Sequence, residues 1–580
     1  MTATTYGTRN PIVTPVAGLY VGTTSGTVAA GDDSRFRDAY DTVADMVAAT
    51  DHSIGDTVRV QNYSATCLSG EITFEAVAVG SGYTIFGEAF EKGIGVDWKP
   101  IFGEYNVIKA AAFGVGGGLG DDSARLKKAN LYLAYTRPGG GGVISHVGTI
   151  HLESTIILGE GVVLRGGMSV GLGDRVKELP KQNSVINVAP GVPLGISLSK
   201  GSSVEGFVIK PSNVFSPQTV DDVANWTGTA ISGNTSGCGV NNCVIAGFQR
   251  GVDIVEAPIF KSGRLNIYNC VIDCWNGVMV ENSGDIDRFE GVHCWPIMSP
   301  DIADIEDLRR PGIGIHIKGG VNWGKLQSCF SYCYLENYRL ESVTGVTLAN
   351  CGSDGPQLPG GIGVNVIGDS TAISLINVEF GGSYTYGLVV DMSSFDARNH
   401  VAITGGSFGG AAATYQIDIR NAGGVKISGN VTHSGSCAIN FENDCGVKAL
   451  VSGNQFFSPI GSFYRNGSAG FTSNNIVFSG NATIGNPTNI WENASNTLPS
   501  QVAASAMRFL RNKSLINVTG GTTITSFKED ETGRRVTLIF AAGTTVNNTA
   551  SIKLKTGANT TYLAGSRATF ECMGSVWYEL

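Results

Sequence analysis

The chain has 580 residues, more than one ordinary hydrophobic core accommodates, so about two to four domains are expected. Its 80 glycines against 18 prolines, without a collagen-like period, indicate many tight turns rather than disorder. A formal net charge of −9 argues against a nucleic-acid partner, and no apolar stretch approaches a membrane span.

The start, Met1-Thr2-Ala3-Thr4-Thr5, lacks the basic and apolar run of a signal peptide, so synthesis in the cytoplasm is expected. The 12 cysteines lack zinc spacing, and several recur at one place in a repeat. That pattern predicts buried free thiols rather than disulfides, and no cofactor or metal is implied.

Residues 1–106 read as a separate small α/β module. Phe36, Tyr40, Val43 and Val47 line one helical face, with Asp33 or Ser34 as cap. Gly55–Val60 and Ile72–Val79 read as strands. Next come Phe113-Gly114, the turn Gly120-Asp121-Asp122-Ser123 and a helix near 122–134 with Asp122 or Ser123 as N-cap. The glycines before this helix match neither the dinucleotide nor the P-loop spacing. They read instead as the entrance to a solenoid that the helix caps.

From Ser236 to about Asn481 the chain repeats in pieces of roughly 21 to 29 residues, as in solenoid arrays. Each piece is a short apolar strand, an Asn or Gly turn, a second short strand and another turn. Asn242-Cys243, Asn269-Cys270, Asn350-Cys351 and Asn377-Val378 occupy equivalent turns. Ser428-Gly429-Asn430, Ser452-Gly453-Asn454 and Ser479-Gly480-Asn481 keep the rhythm with changed lettering. One such unit cannot bury its apolar side chains alone, whereas stacked units share a core. The reading is an all-β parallel β-helix over 107–485, with an Asn ladder and beside it a column of Cys243, Cys270, Cys329 and Cys351. Residues 486–514 read as a linker with a short helix around Ala504–Leu510. Residues 515–580 read as a C-terminal β-sandwich.

Phe113-Gly114, the Gly-Asp-Asp-Ser phrase, the short helix and the glycine-rich strand pair resemble the opening of the pectate-lyase-like right-handed parallel β-helix of bacteriophage tailspikes and capsule depolymerases. The usual second Gly-Asp-Gly is here a run of glycines, Gly139–Gly142. The resemblance implies a homotrimeric spike on the virion tail, attached to the tail or another tail fibre through its N-terminal module. It implies binding and depolymerisation of a bacterial surface polysaccharide. It also implies that the C-terminal sandwich serves trimerisation or carbohydrate binding.

Two insertions break the rhythm. One runs from Pro211 to about Thr229 and holds Asp221, Asp222 and Trp226. The other runs from Trp295 to Arg310 and holds Asp301, Asp304, Glu306, Asp307, Arg309 and Arg310. Both are expected at the same edge, flanking two short turns like walls around a floor about 10 Å wide, two strand spacings. Near that floor lie Asp273, Trp275, His293 and Trp295, with the aromatic rings available for sugar stacking. Glycosidic hydrolysis needs two carboxyl groups about 5 to 10 Å apart. Asp285 and Asp287, if on a strand, share a face. Glu290 is expected to break the Asn ladder at the place of Asn269, and Arg288 to fall in an apolar column. The catalytic candidates are therefore Asp287, Asp285, Glu290 and Asp273. The substrate-binding candidates are Trp275, His293, Trp295, Arg288, Trp226, Tyr338 and Arg339, and Glu336, Tyr338 and Arg339 on the next rung form a reserve set. A surface ion pair Arg264–Asp285 and a charge ladder Glu281, Lys318, Glu341 are the competing structural readings. Hydrolase, uronate lyase and non-catalytic adhesin are the three function classes left open, with hydrolysis favoured.

Overall fold

The computed structural model describes residues 39–64, 72–84, 87–102, 107–117, 120–137, 141–167, 184–213, 219–233, 236–255, 263–299, 309–355, 360–393, 398–409, 411–433, 437–441, 449–457, 462–466, 476–484, 492–493, 500–502, 506–507, 515–527, 534–541 and 543–580. The chain forms two compact units, Met1–Ser145 and His146–Leu580.

In the first unit, strands Ala39–Thr42, Thr57–Asn62, Ile72–Val77, Asp97–Ile101 and Glu91–Lys92 form one sheet in that order. Alternation buries Val58, Val60, Ile72, Phe74, Ala76 and Trp98. The expected helical face does not hold across Tyr40, which lies in the first strand. A capping box between Thr42 and Asp45 starts the helix at Val43 and it runs to Ala48. Asp33, Ser34 and Phe36 lie outside the described residues.

Helix Ser123–Thr136 packs on the same unit. Tyr132 donates to the Pro100 carbonyl at 2.7 Å, Lys128 pairs with Glu91 at 2.8 Å, and Tyr135 meets Phe90 edge-on. Asp122 occupies the N-cap place but turns back to accept from the Gly116 N–H at 3.0 Å. Asp121 instead accepts from the Ser123 N–H at 2.8 Å. The Gly-Asp-Asp-Ser phrase thus ties the turn to the helix start with two carboxylates.

The second unit is the solenoid. Each coil contributes a strand to each of three parallel faces, here A, B and C. One coil is Gly239–Asn241 (A), Val244–Ala246 (B) and Arg250–Val255 (C). The next is Asn266–Tyr268, Val271–Asp273 and Asn276–Glu281. The fold is a parallel β-helix. On face A the inward column runs Val204, Val240, Ile267, Phe289, Leu326, Leu348, Leu375 and Ile403, all buried. Each such side chain contributes about 1.5–3 kcal/mol of burial, and only stacking makes that burial available.

From Gly206 onward each A-to-B turn holds a left-handed residue. Asn242, Asn269, Asn350 and Asn377 supply it with φ near +50°, as Asn tolerates. Asn269 donates to Asn242 at 3.4 Å and Asn377 to Asn350 at 3.2 Å, so the expected ladder is present as two pairs, interrupted by Gly291 and Ser328 on the two coils between them. From Gly405 onward glycine takes the left-handed place, and an asparagine moves inward one residue later. Asn430, Asn454 and Asn481 form a second ladder, each donating its amide to the next. They occupy the column held earlier by Cys243, Cys270, Cys329 and Cys351. The described cysteines are free and buried.

At the C-terminal end, strands 500–502, 515–519, 535–540, 567–573, 576–579 and 552–553 form one sheet in that order. Its core holds Ile516, Val518, Val536, Leu538, Phe570 and Trp577. The short helix expected around Ala504–Leu510 is absent at its described residues. Ala506–Met507 is instead a strand beside Ser526–Phe527, because pairing outweighs the local helical preference.

Candidate functional site

Both insertions run from a face B strand to a face C strand, so they emerge at the same edge as expected. In the first, Thr219 and Asp222 form a capping box for the helix Val220–Ala224. Asp301, Asp304, Glu306 and Asp307 lie outside the described residues.

The floor between the walls is closed by one ionic node. Asp273 and Arg310 are both 0% exposed. Arg310 Nε donates to Asp273 Oδ1 at 2.7 Å and Nη2 to Oδ2 at 3.1 Å, while the Met298 N–H donates to Oδ2 at 2.7 Å. The guanidinium lies 5.2 Å from the centre of the Trp226 ring and donates to Ser299 Oγ. Both walls therefore converge on one arginine. Asp273 is a structural carboxylate with no path to substrate, and Trp226 is a buried partner of Arg310 rather than a stacking platform. A small pocket of about 90 Å³ adjoins it, lined by Pro190, Val192, Pro211, Trp226 and Phe248.

Asp285 and Asp287 do not share a strand face. They lie in a C-to-A turn where Ile286 is left-handed, so the period of two fails. Asp287 is 0% exposed and accepts from the Arg264 and Leu265 N–H groups and from Ser283 Oγ. A carboxylate so enclosed cannot meet a glycosidic oxygen, and Asp287 leaves the catalytic set. Asp285 pairs with Arg264 at 3.1 Å on the surface, the ion pair foreseen as its competing role.

Glu290 aligns with Tyr268, not Asn269, and Gly291 takes the ladder place. Arg288 aligns with Asn266 and points to solvent, while Phe289 fills the apolar column. A slip of one residue reversed both sides of this strand. Trp295 packs with Ile297 onto an apolar stripe of Val208, Val244 and Val271 outside face B, so its ring is spent on packing. Trp275 is half-buried, and its indole abuts Gly312, where a side chain would not fit. His293 is half-buried beside Phe330, and burial pulls its imidazole below the ordinary value. Tyr338 is wholly inside, donating to the Gly352 carbonyl at 2.8 Å, so it cannot bind substrate.

Of the sequence-derived binding residues, Arg339 is half-buried and faces outward on face C. Its guanidinium makes a two-bond pair with Glu336, and Asn365 of the next coil donates to the same carboxylate at 3.0 Å. Just across the B-to-C corner lies Asp354. It is half-buried, and burial pushes its carboxyl above the ordinary value. Gly381 and Gly382 on the following coil leave the space its carboxylate occupies. Asn337 fixes this corner from within, donating to the Asp354 carbonyl and Ser353 Oγ at 3.0 Å and to Tyr384 Oη at 3.2 Å. Sequence reasoning missed Asp354. Its signal, an aspartate among Gly352, Ser353 and Gly355, becomes readable only once the register places Gly381-Gly382 beside it.

Next to Arg339, His316 Nε2 lies 3.0 Å from Glu341 Oε2, and Lys318 pairs with Glu281 at 2.8 Å. The anticipated charge ladder is present, with an imidazole in the adjacent column.

Among solved structures the chain resembles a tailspike protein of Acinetobacter baumannii bacteriophage Fri1, described as a capsular polysaccharide depolymerase. That match is 14% identical, covers 78% of this chain and 75% of the other, and has a TM-score of 0.45. It also resembles the tailspike of an Acinetobacter phage at 13% identity, over 94% and 90%, TM-score 0.44. A third is the A-module of a mannuronan C-5 epimerase from Azotobacter vinelandii at 12% identity, over 66% and 96%, TM-score 0.37. The likeness is one of fold. No protein-family model and no curated protein matches the chain.

Proposed function

We propose that this chain is a tailspike that binds and depolymerises a bacterial capsular or other surface polysaccharide by hydrolysis. On this reading it assembles as a homotrimer and attaches to a phage tail through its N-terminal module. The observation that carries the chemistry is the corner at Glu336 and Asp354. Two carboxyl groups on neighbouring coils lie at this corner: Glu336, 7% exposed and held by Arg339 and Asn365, and Asp354, half-buried and raised by burial. A carboxyl group raised by burial suits the acid, which leaves Glu336 as the base. Asp354 gives its proton to the leaving glycosidic oxygen. Water adds to the anomeric carbon and passes its proton to Glu336. One water is consumed and one reducing end appears per bond cleaved. Arg339 holds Glu336 in place and presents a cation at the rim.

The His316–Glu341 pair favours a second reading, elimination on a uronate. Burial holds His316 below its ordinary value and therefore neutral, as a base requires, and Lys318 and Arg339 can neutralise the sugar carboxylate. Purified capsular and O-antigen polysaccharides should be tested for new reducing ends and for near-ultraviolet absorbance. Reducing ends without absorbance, lost in Glu336→Gln and Asp354→Asn, support hydrolysis. An absorbing product lost in His316→Ala replaces it with elimination. Binding without either product makes the chain an adhesin.

A further inference from the structure

Trp323 stands apart from every role described so far. It is 61% exposed, in the C-to-A turn between Lys318 and Lys325. Its φ is +63°, the left-handed region that a bulky side chain rarely adopts. In the coils on either side the equivalent places hold Ile286 and Gly345, and the Trp323 indole lies against Gly345, where a Cβ would come within 3.8 Å of Cδ2. Glycine would fit this turn without strain, as it does at Gly345. The left-handed φ belongs to this turn, since Arg264, Ile286 and Ala372 adopt it at the same place; what sets Trp323 apart is the large ring it leaves in solvent, a cost typical of positions that meet a ligand.

Its surroundings indicate which ligand. The neighbouring turns present the Arg264–Asp285 ion pair and, on the other side, the exposed hydroxyl pair Thr371–Thr344 at 3.0 Å. Lys325 follows on face A, its ammonium bonded to Thr347. One flat apolar ring, flanked by the exposed Ile286 and framed by planar polar groups and hydroxyls, matches a sugar, which has an apolar ring face and polar edges. A protein partner would call for a wider apolar patch.

We infer that Trp323 is the platform of a glycan-binding subsite at the C-to-A edge, remote from the Glu336–Asp354 corner. It takes one sugar ring of the surface polysaccharide in stacking contact, with Arg264 and Lys325 at its rim. The inference rests on the proposed polysaccharide function and adds a second point of attachment to it.

Retention of purified capsular and O-antigen polysaccharides, with alginate and polygalacturonate as further probes, should be measured for the full chain and for Trp323→Gly, Trp323→Ala and Trp323→Tyr. The expected result is a loss of affinity of about tenfold in the Gly and Ala variants and recovery in Tyr. The Gly variant should also show a higher thermal midpoint than the parent, since it relieves the backbone. Weaker binding together with higher stability is a signature that a purely structural tryptophan would not give. Equal binding by parent and all variants overturns the subsite and leaves the enzyme reading intact. If the parent binds no polysaccharide, the function proposal falls and the subsite with it.

Discussion

On the proposed hydrolytic reading, Asp354 and Asp287 divide one residue type between chemistry and scaffold. Asp354 is raised by burial, so the folded state favours its protonated form. Its stabilising contribution is present below the ordinary carboxylate range and is lost as pH rises through the raised folded value. Hydrolysis by a protonated Asp354 should weaken over the same interval, giving the rate an alkaline limb. Asp354→Asn should therefore be at least as stable as the parent at neutral pH yet lose about 10²–10⁴-fold in turnover. Thermal melts and reducing-end assays on one preparation check both halves. For Asp287 the expectation is the reverse. Asp287→Ala strips two backbone N–H groups and Ser283 of their acceptor. It should cost about 1–3 kcal/mol in denaturant unfolding, with turnover kept in the folded fraction.

At the scale of elements, the ladders and loops differ in how readily the sequence discloses them. The Asn column was legible because its demand is local: from Gly206 onward each A-to-B turn holds a left-handed residue, and Asn or Gly is written there in all but the turn of Ser328. The corner was legible only in part: Glu336 and Arg339 stand three residues apart on one strand and were a reserve set, whereas Asp354 joins them only through the stacking of a separate coil. Arg288 and Glu290 were misplaced because the repeat length varies from coil to coil, and Asn266 pairs with Arg288, one residue beyond the step that periodicity suggested. Asp285 and Asp287 failed as a pair for a related reason, since alternation does not survive a left-handed Ile286. Two element-level tests follow. Asn454→Ala removes the acceptor of the Asn430 N–H and the donor to the Ile427 carbonyl. It should destabilise the later coils by about 1–3 kcal/mol and speed hydrogen exchange there before it is felt near Ile267. Arg310→Met leaves Asp273 charged and buried without its partner and frees Trp226 from its cation. A loss of about 3–5 kcal/mol is expected, with earlier proteolysis within 212–228 and 295–309.

For the whole molecule, the three faces divide labour. Face A carries the left-handed turns at both its ends, face B is partly covered by Trp295 and Ile297, and face C carries a polar row from His316 through the half-buried Arg339 to Asn365. If the spike is a trimer as proposed, sedimentation equilibrium in dilute buffer should return three times the chain mass of 60.6 kDa. A monomer mass would remove the trimer from the proposal.

The meeting of both walls on Arg310 bears on how such a protein can change. In a stacked array, side loops ordinarily serve as exchangeable parts, because the coils beneath do not depend on them. Here the two insertions share a keystone: one supplies Trp226, the other Met298 and Ser299, and the coil between them supplies Asp273. Transplanting either loop alone would strand a buried charge. Natural variants of this scaffold should therefore inherit the two loops and Asp273 as one block, and single-loop chimaeras should fold poorly.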